Sequence, residues 1–317
     1  PPVWSCLQGK VHFVRQVTAK EYSCSCPKCG DSGHAGNDWP DRCRLFCDDH
    51  PTLFCRKCGL IGFPDQFGGD DYPKPSPAEM EAWRQKQVAA EESRRRSAER
   101  ALVHLRSSHL WEQYHASLDE YARIYWRERG IPDDWQDFWK LGVNYEYRVG
   151  NDIAPTATIP LFDHAHNILN IKHRFLEPPE GIGKYRYEIS GQPHPLFITN
   201  PTVPLEGHAI AIEGEIKAAV TYIRMGDKAA CVVGLPGKSV GPEVVAQFKG
   251  CERVTLVFDP GSEKDAIKLA KEIGIGKCWA IISPAKIDDG ILAANLTPRE
   301  IKSMLRAATM LSAFVRQ

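Results

Sequence analysis

The sequence has no apolar run close to the roughly 20 residues that a helix needs to cross a bilayer. Its first ten residues, PPVWSCLQGK, have neither a basic start nor the apolar core of a secretory signal. The 40 basic and 40 acidic side chains cancel, so the protein lacks the net positive charge that would indicate a nucleic-acid partner. A surface that binds nucleic acid would need local clusters of Lys and Arg. These absences predict a soluble, intracellular protein without a membrane partner.

Cysteine is scarce after residue 60, and the eight earlier residues of the 11 are clustered, unlike a secreted disulfide framework. In two similar corners, CPKCG at 26–30 and CRKCG at 55–59, two thiolates can reach one ion and the following glycine permits the backbone turn. We therefore expect a structural zinc ion bound by Cys26, Cys29, Cys55 and Cys58. Sets that use Cys43 and Cys47, or a second ion that includes His50, stay open as alternatives.

Short alternating segments at 42–47 and 52–55 predict a small β ribbon clamped by the metal, and without zinc we expect it to unfold. Basic and aromatic residues alternate here, and such surfaces can bind a nucleic-acid strand by phosphate contact and base stacking. Solvated charge over a minimal core is the alternative. We assign residues 1–68 to this small β zinc-ribbon domain.

Glycine, proline and aspartate accumulate at 65–78, which predicts a connector, and residues 69–100 are assigned to this linker and a charged helix. Residues 101–204 are assigned to an α+β subdomain. Basic side chains share one face in two of its extended segments: Lys172 with Arg174, and Lys184 with Arg186. Two such pairs can line a groove that binds phosphates, with solvent-facing charge as the alternative.

After residue 205, strands and helices alternate, which predicts an α/β core with a mostly parallel sheet and helices on both faces. One strand ends at Glu213 before a glycine, and a second, RVTLVFD, ends at Asp259 before a Pro-Gly turn. Because the carboxyl ends of parallel strands meet at one edge, we expect these two carboxylates to converge as Mg²⁺ ligands.

The sequence lacks a complete phosphate loop, because GxxxxGKS would need glycine where Val232 stands, five residues before Gly237-Lys238-Ser239. This is therefore not an ATPase signature, and no helicase motor is visible elsewhere. Lys238 is kept as a candidate phosphate contact, with a plain turn as the alternative.

The order of these features resembles that of bacterial and phage-type (DnaG-like) primases, which have a topoisomerase-primase (TOPRIM) core. The resemblance is carried by the zinc ribbon, YWRERGI at 125–131, HRF at 173–175, Lys184-Tyr185 and the core acids, in that order. It implies a nucleotidyltransferase that makes short RNA primers on single-stranded DNA from ribonucleoside triphosphates. The implied partner is a replicative helicase, and the implied location is the cytoplasm of a bacterium or host cell.

The resemblance also implies roles for individual residues. The catalytic residues would be Glu213, Asp259, Asp288 and Asp289, with Mg²⁺ or Mn²⁺ held by Glu213, Asp259 and Asp289. Nucleotide or nucleic acid would be bound by Lys172, Arg174, Lys184, Arg186 and Lys238. Residues 205–317 would form the TOPRIM subdomain, and residues 101–204 the N-terminal part of the RNA polymerase domain.

Three positions depart from the family pattern. Asp-x-Asp is replaced by Asp259-Pro260-Gly261, Lys217 stands where many members carry an acid, and the late motif reads Lys286-Ile287-Asp288-Asp289. Two alternatives therefore stay open, a non-catalytic nucleic-acid-binding adaptor with a zinc ribbon and TOPRIM fold, and a TOPRIM nuclease.

Overall fold

The computed structural model describes most of the chain from residue 77 onwards and short segments before it. The described residues are 13–18, 21–26, 43–46, 52–55, 60–62, 77–150, 152–238, 240–283 and 285–311. The chain divides into two compact units, Pro1–Ala89 and Ala90–Gln317. Residues 65–76 of the predicted connector lie outside the described residues. No helix in the described part of the chain is long and apolar enough to span a membrane.

The N-terminal unit contains a five-stranded antiparallel sheet in the order β1-β2-β3-β4-β5. Its strands are β1 (Phe13–Thr18), β2 (Glu21–Cys24), β3 (Cys43–Phe46), β4 (Thr52–Cys55) and β5 (Ile61–Gly62). Leu45 and Leu53 are paired across β3 and β4 and are fully buried, so they form the apolar centre of this sheet. The two strands predicted around residues 42–47 and 52–55 are therefore present, within a larger sheet.

Two helices replace the single helical segment that the pattern at 79–117 predicts. They are α1 (Pro77–Ser108) and α2 (Leu110–Ala116). Between them His109 has φ 51°, a left-handed conformation that no helix interior accommodates. The charged face of α1 carries exposed ion pairs such as Arg96 with Glu92.

The second sheet is antiparallel, in the order β6-β7-β8-β9, and follows two short helices. The elements are α3 (Glu120–Glu128), α4 (Asp133–Phe138), β6 (Gly142–Val149), β7 (Asp152–Phe162), β8 (Ile168–Phe175) and β9 (Tyr185–Tyr187). The chain turns between α3 and α4 at Gly130, where φ is 80°, and the Ile131 N–H donates to the Trp126 carbonyl over 3.0 Å. Trp126 is fully buried, so this turn also anchors the core.

The third sheet has six strands in the order β10-β12-β11-β13-β14-β15. They are β10 (Phe197–Ile198), β11 (Gly207–Glu213), β12 (Cys231–Leu235), β13 (Cys251–Phe258), β14 (Cys278–Ile282) and β15 (Thr309–Met310). The four inner strands are parallel, and the two edge strands are antiparallel to their neighbours. Over all three sheets the pairing is largely antiparallel, so the predicted mostly parallel arrangement holds only for these inner strands. The edge strands have two residues each, too few for a visible sequence pattern.

Helices cover both faces of this mixed sheet. They are α5 (Glu215–Met225), α6 (Pro242–Gln247), α7 (Glu263–Ile273), α8 (Ile287–Ala293) and α9 (Pro298–Arg306). Alternate residues of β11 face opposite sides, as a strand requires. Ile212 packs in one buried cluster with residues of α5, α8 and α9, and Ala211 packs in another with residues of α6 and α7. The first cluster also contains Trp126 and Ile159, so the second and third sheets share one core.

Candidate active site

Two parallel strands deliver carboxylates to the same edge of the mixed sheet. Glu213 is the last residue of β11, and Asp259 directly follows β13, its neighbour in the sheet. The Asp259 N–H lies 3.5 Å from Glu213 Oε2, so the two residues are in contact. The convergence that the sequence predicts is therefore present, and a role in binding metal stays a prediction for both.

Two glycines let the chain turn sharply at this edge. Gly214 has φ 100°, a conformation that favours glycine, and its N–H donates to the Leu235 carbonyl over 3.0 Å. At Gly234 of β12, a β-carbon would lie 2.9 Å from the Glu215 α-carbon. Glycine at both positions allows α5 to begin close against β12, directly beside the carboxylates.

Lys217, in the first turn of α5, directs its ammonium at the acidic edge. Its Nζ donates to Asp259 Oδ2 over 2.5 Å, and the two side chains are 15% and 21% exposed. Burial and the adjacent Asp289 carboxylate raise the pKa of Asp288, in the first turn of α8, and the Lys217 charge partly offsets this rise. Contacts therefore connect Glu213, Asp259 and Lys217, and the Lys217 charge also acts on Asp288.

The carboxylates of this edge suit a divalent cation unequally. Asp288 Oδ1 is buried with no hydrogen-bond partner among the described residues, and a cation could satisfy it. Among the described residues, the Glu213 carboxylate accepts one hydrogen bond, the long one from the Asp259 N–H. Asp259, by contrast, already holds the Lys217 ammonium. Glu213 and Asp288 therefore have no ion-pair partner among the described residues, whereas the predicted ligand Asp259 is paired with Lys217.

A second charge pair lies on the other side of the start of α5. Lys172 Nζ donates to Glu215 Oε1 over 2.6 Å and to the Pro236 carbonyl over 3.1 Å. The two charged side chains are only 5% and 3% exposed. Lys172 is thus placed as a buried link between β8 and α5, and not on an open groove as the sequence predicts.

Arginine and tyrosine side chains meet beside this buried pair. Arg174 Nη1 donates to the Tyr185 hydroxyl over 2.8 Å, and the Arg129 guanidinium lies 4.5 Å from the centre of the Tyr125 ring. The Arg174 guanidinium lies 5.5 Å from the centre of the Tyr185 ring. Burial raises the pKa of Tyr125, and the charges of Arg174 and Arg129 both act to lower it. The structure thus places two cations next to aromatic faces, an arrangement suited to a nucleic-acid strand.

Arg129 is a candidate that sequence reasoning missed. Its Nε is buried without a hydrogen-bond partner among the described residues. The signal available was its place in YWRERGI, a segment that the sequence identified as a motif without assigning a role to this arginine. Of the other predicted basic residues, Lys184 and Lys238 are exposed, and Arg186 donates to the Tyr185 carbonyl over 2.8 Å.

Three buried thiols of the N-terminal unit form a candidate zinc site. The sulfur atoms of Cys26, Cys43 and Cys55 lie within 4.8 Å of one another. The strand register explains this, since Cys43 pairs with Cys55 across β3 and β4, and with Cys24 across β2 and β3. Hydrogen bonding with Cys24, burial and the charges of neighbouring thiolates raise the pKa of the Cys43 thiol well above its usual range. A bound zinc ion would offset the repulsion between neighbouring thiolates, because zinc binds cysteine in the thiolate form.

These three cysteines include members of both ligand sets that the sequence left open. Cys26 and Cys55 belong to the preferred set, and Cys43 belongs to the rival one. The remaining candidates lie outside the described residues: Cys29, Cys47, His50 and Cys58. Within the described residues this is the one group of three or more cysteine, histidine or acidic side chains with ligand atoms this close.

Replacement of Cys43 by Ala is expected to remove bound zinc from the purified protein. Structural zinc sites in peptides contribute roughly 10–16 kcal/mol, which is folding free energy for a small sheet, so the N-terminal unit should become sensitive to protease. Zinc content by atomic absorption and limited proteolysis measure both effects. Cys278→Ala is the matched control, because Cys278 is a buried thiol of the mixed sheet. Full zinc content in Cys43→Ala would exclude this residue as a ligand.

The fold and the site define a mixed α/β protein with a thiol-rich N-terminal unit and an acidic sheet edge. No protein-family model matches the chain. Its sequence also matches no curated protein. Solved structures, in contrast, share its fold. A structure of the Aquifex aeolicus primase with its zinc-binding and RNA polymerase domains matches with a TM-score of 0.54 and 14% identity, covering 94% of this chain and 80% of that one.

Two further similar structures are catalytic cores. The RNA polymerase domain of Mycobacterium tuberculosis DnaG, in complex with a double-stranded DNA oligomer with an overhang, has a TM-score of 0.53, 15% identity and coverage of 68% and 82%. A DnaG catalytic domain bound to single-stranded DNA has a TM-score of 0.51, 15% identity and coverage of 69% and 84%. The chain therefore has the fold of DnaG-type primase catalytic cores. At 14–15% sequence identity, the similarity to these structures shows the fold alone.

Proposed function

We propose that the protein is a DNA primase, a nucleotidyltransferase that makes short RNA primers on a single-stranded DNA template. The observation that carries this proposal is the fold likeness over 94% of the chain to a primase with both zinc-binding and RNA polymerase domains. The mixed sheet with its acidic edge would be the TOPRIM core. The two acids in contact there, Glu213 and Asp259, lie where an open α/β sheet binds its ligands.

Primer synthesis joins a 3′-hydroxyl to the α-phosphorus of a ribonucleoside triphosphate and releases pyrophosphate. The site must therefore hold a polyanion, align it with the hydroxyl and offset the charge that develops on the phosphate oxygens. A divalent ion, Mg²⁺ or Mn²⁺, held by Glu213 and Asp288 with the exposed Asp289 nearby, would supply Lewis-acid stabilisation of those oxygens. Lys217 would add a fixed positive charge beside Asp259.

The basic and aromatic residues would hold the polymer strands. Arg129 and Arg174 would contact phosphates, and the exposed Lys184 and Lys238 would extend that contact outward. Tyr185 offers a ring for stacking. Two of the similar structures contain DNA, one of them single-stranded, which supports a DNA template. Template reading by the N-terminal unit and unwinding by a separate replicative helicase belong to the same proposal.

The alternative of a non-catalytic binding module is favoured by one observation, the Lys217 ion pair that occupies Asp259. The test is incubation of the full, zinc-loaded chain with labelled ribonucleoside triphosphates, Mg²⁺ or Mn²⁺, and single-stranded templates of varied sequence. We expect short RNA products on denaturing gels that require both template and divalent ion. Shortened DNA without RNA products would identify a nuclease, and DNA binding with neither reaction would identify the binding module.

A further inference from the structure

The sequence Glu213-Gly214-Glu215-Ile216-Lys217 places opposite charges on opposite sides of one helix start. Residues 215 and 217 are about 200° apart around a helix, so one side chain faces β8 and the other faces the acidic edge. Glu215 binds Lys172 on the first side, and Lys217 binds Asp259 on the second. The charge at position 217 is therefore directed at the acidic edge of the mixed sheet.

Lys217 lies where its charge is unfavourable unless an anion compensates it. A cation in the first turn of a helix opposes the helix dipole, which is positive at that end. The carboxylate 2.5 Å away supplies the compensation, and both side chains are largely withdrawn from solvent. The same ammonium also acts on Asp288, in a different helix. Lys217 thus interacts with two acids, Asp259 by direct contact and Asp288 through its charge.

We propose that the Lys217 ammonium occupies the cation position at Asp259, so that this edge holds a single divalent ion that is bound without Asp259. A Mg²⁺ ion binds its oxygen ligands at about 2.0–2.1 Å, so an ion on Asp259 would lie within a few ångströms of the ammonium. Like charges that close repel strongly when partly buried. The inference rests on the proposed function only in taking these carboxylates as the reaction centre.

The pairing of Lys217 with Asp259 accounts for two of the departures from the primase pattern. Asp259 is followed by Pro260-Gly261, so the second acid of that motif is missing, and a lysine stands at position 217. One lost carboxylate and one gained ammonium change the local charge in the same direction. Both changes reduce the need for a second divalent ion, because the fixed ammonium already neutralises Asp259.

Binding of Mn²⁺ alone tests the inference without template or nucleotide. The full, zinc-loaded chain is titrated with Mn²⁺, and free ion is followed by electron paramagnetic resonance. We expect one weak site in the unmodified protein. In Lys217→Met we expect Mn²⁺ affinity to rise at least about tenfold, since the removed repulsion exceeds a factor of ten even at an effective dielectric constant of about 20.

Three variants make the result specific. Lys271→Met removes the same charge from an exposed position in the last turn of α7 and should bind Mn²⁺ as the unmodified protein does. Lys217→Arg keeps the charge and should also leave Mn²⁺ affinity unchanged. The double variant Lys217→Met/Asp259→Asn should lose the gain, because the freed carboxylate is then absent.

Two results would overturn the inference: two Mn²⁺ ions at the edge of the unmodified protein, or no gain in affinity on removing the ammonium. Circular dichroism establishes folding, and Lys217→Gln replaces Lys217→Met if the latter does not fold. Tighter Mn²⁺ binding together with absent primer synthesis would reject the proposed function alone. Primer synthesis together with unchanged Mn²⁺ binding would reject the Lys217 inference alone.

Discussion

Replacement of Glu213 by Gln is expected to lower the rate of primer synthesis at least about 100-fold, because electrostatic stabilisation by a bound cation would be worth several kcal/mol. Glutamine keeps the size of the side chain and an oxygen that can accept the Asp259 N–H, so the strand end should keep its shape. The charge alone is lost. The rate of incorporation of labelled ribonucleotide at saturating template measures the effect, and Mn²⁺ titration of the same variant should show a weaker site.

The matched control for this variant is Glu252→Gln. Glu252 is exposed and lies near the start of β13, at the other end of the strand that leads to Asp259. Its replacement removes the same charge without touching the acidic edge, so primer synthesis should stay within about twofold of the unmodified protein, as for surface changes in general. If Glu213→Gln also keeps full activity, Glu213 is not part of the reaction centre.

Replacement of Lys172 by Met is expected to lower the free energy of unfolding by about 3–5 kcal/mol, because it leaves the Glu215 carboxylate buried without its cation. The Glu215→Leu variant should lose a similar amount, since it strands the ammonium. The double variant Lys172→Met/Glu215→Leu should recover most of the loss, because two apolar side chains then replace the buried pair. Urea unfolding followed by tryptophan fluorescence measures each value, since Trp126 belongs to the adjoining core.

The exposed ion pair of Lys302 with Asp227 provides the control for this cycle. Its side chains are each 39% exposed, so Lys302→Met should cost only about 0–1 kcal/mol. A cost of that size for Lys172→Met would contradict the burial of the Lys172 and Glu215 pair. Additive effects of the two single variants would contradict their direct contact.

The ends of two strands, and their convergence at one sheet edge, could be predicted from the local sequence pattern. A β-branched run that stops at a carboxylate and a glycine predicts a strand terminus, and two such termini predict convergence at one edge, as found for Glu213 and Asp259. The same reasoning predicts metal ligands from CxxC spacing, and Cys26 and Cys55 do lie together. Cys43 joins them only through cross-strand register, which spacing along the chain does not reveal.

The ion-pair partners of the buried charged residues could not be predicted from the sequence. Alternation along β8 places Lys172 and Arg174 on one face, and both lie near the Tyr185 ring. Alternation does not reveal that Glu215 of a distant helix buries the lysine while the arginine stays partly exposed. Arg129 lies four residues after Tyr125, at the end of the same helix, so that neighbour was within reach of sequence analysis. Arg174, which acts on the same Tyr125 ring, comes from the distant strand β8.

The sequence by itself determined the thiol-rich N-terminal unit, the alternation of strands and helices after residue 205, and the acids at two strand ends, because periodicity, CxxC spacing and turn residues act over a few neighbouring positions. Only the tertiary structure decided which charges neutralise each other. Lys217 reaches Asp259 and Lys172 reaches Glu215 across about forty residues of chain. Such pairs form because a charge withdrawn from water requires a partner wherever the fold provides one, and that place depends on packing of the whole chain.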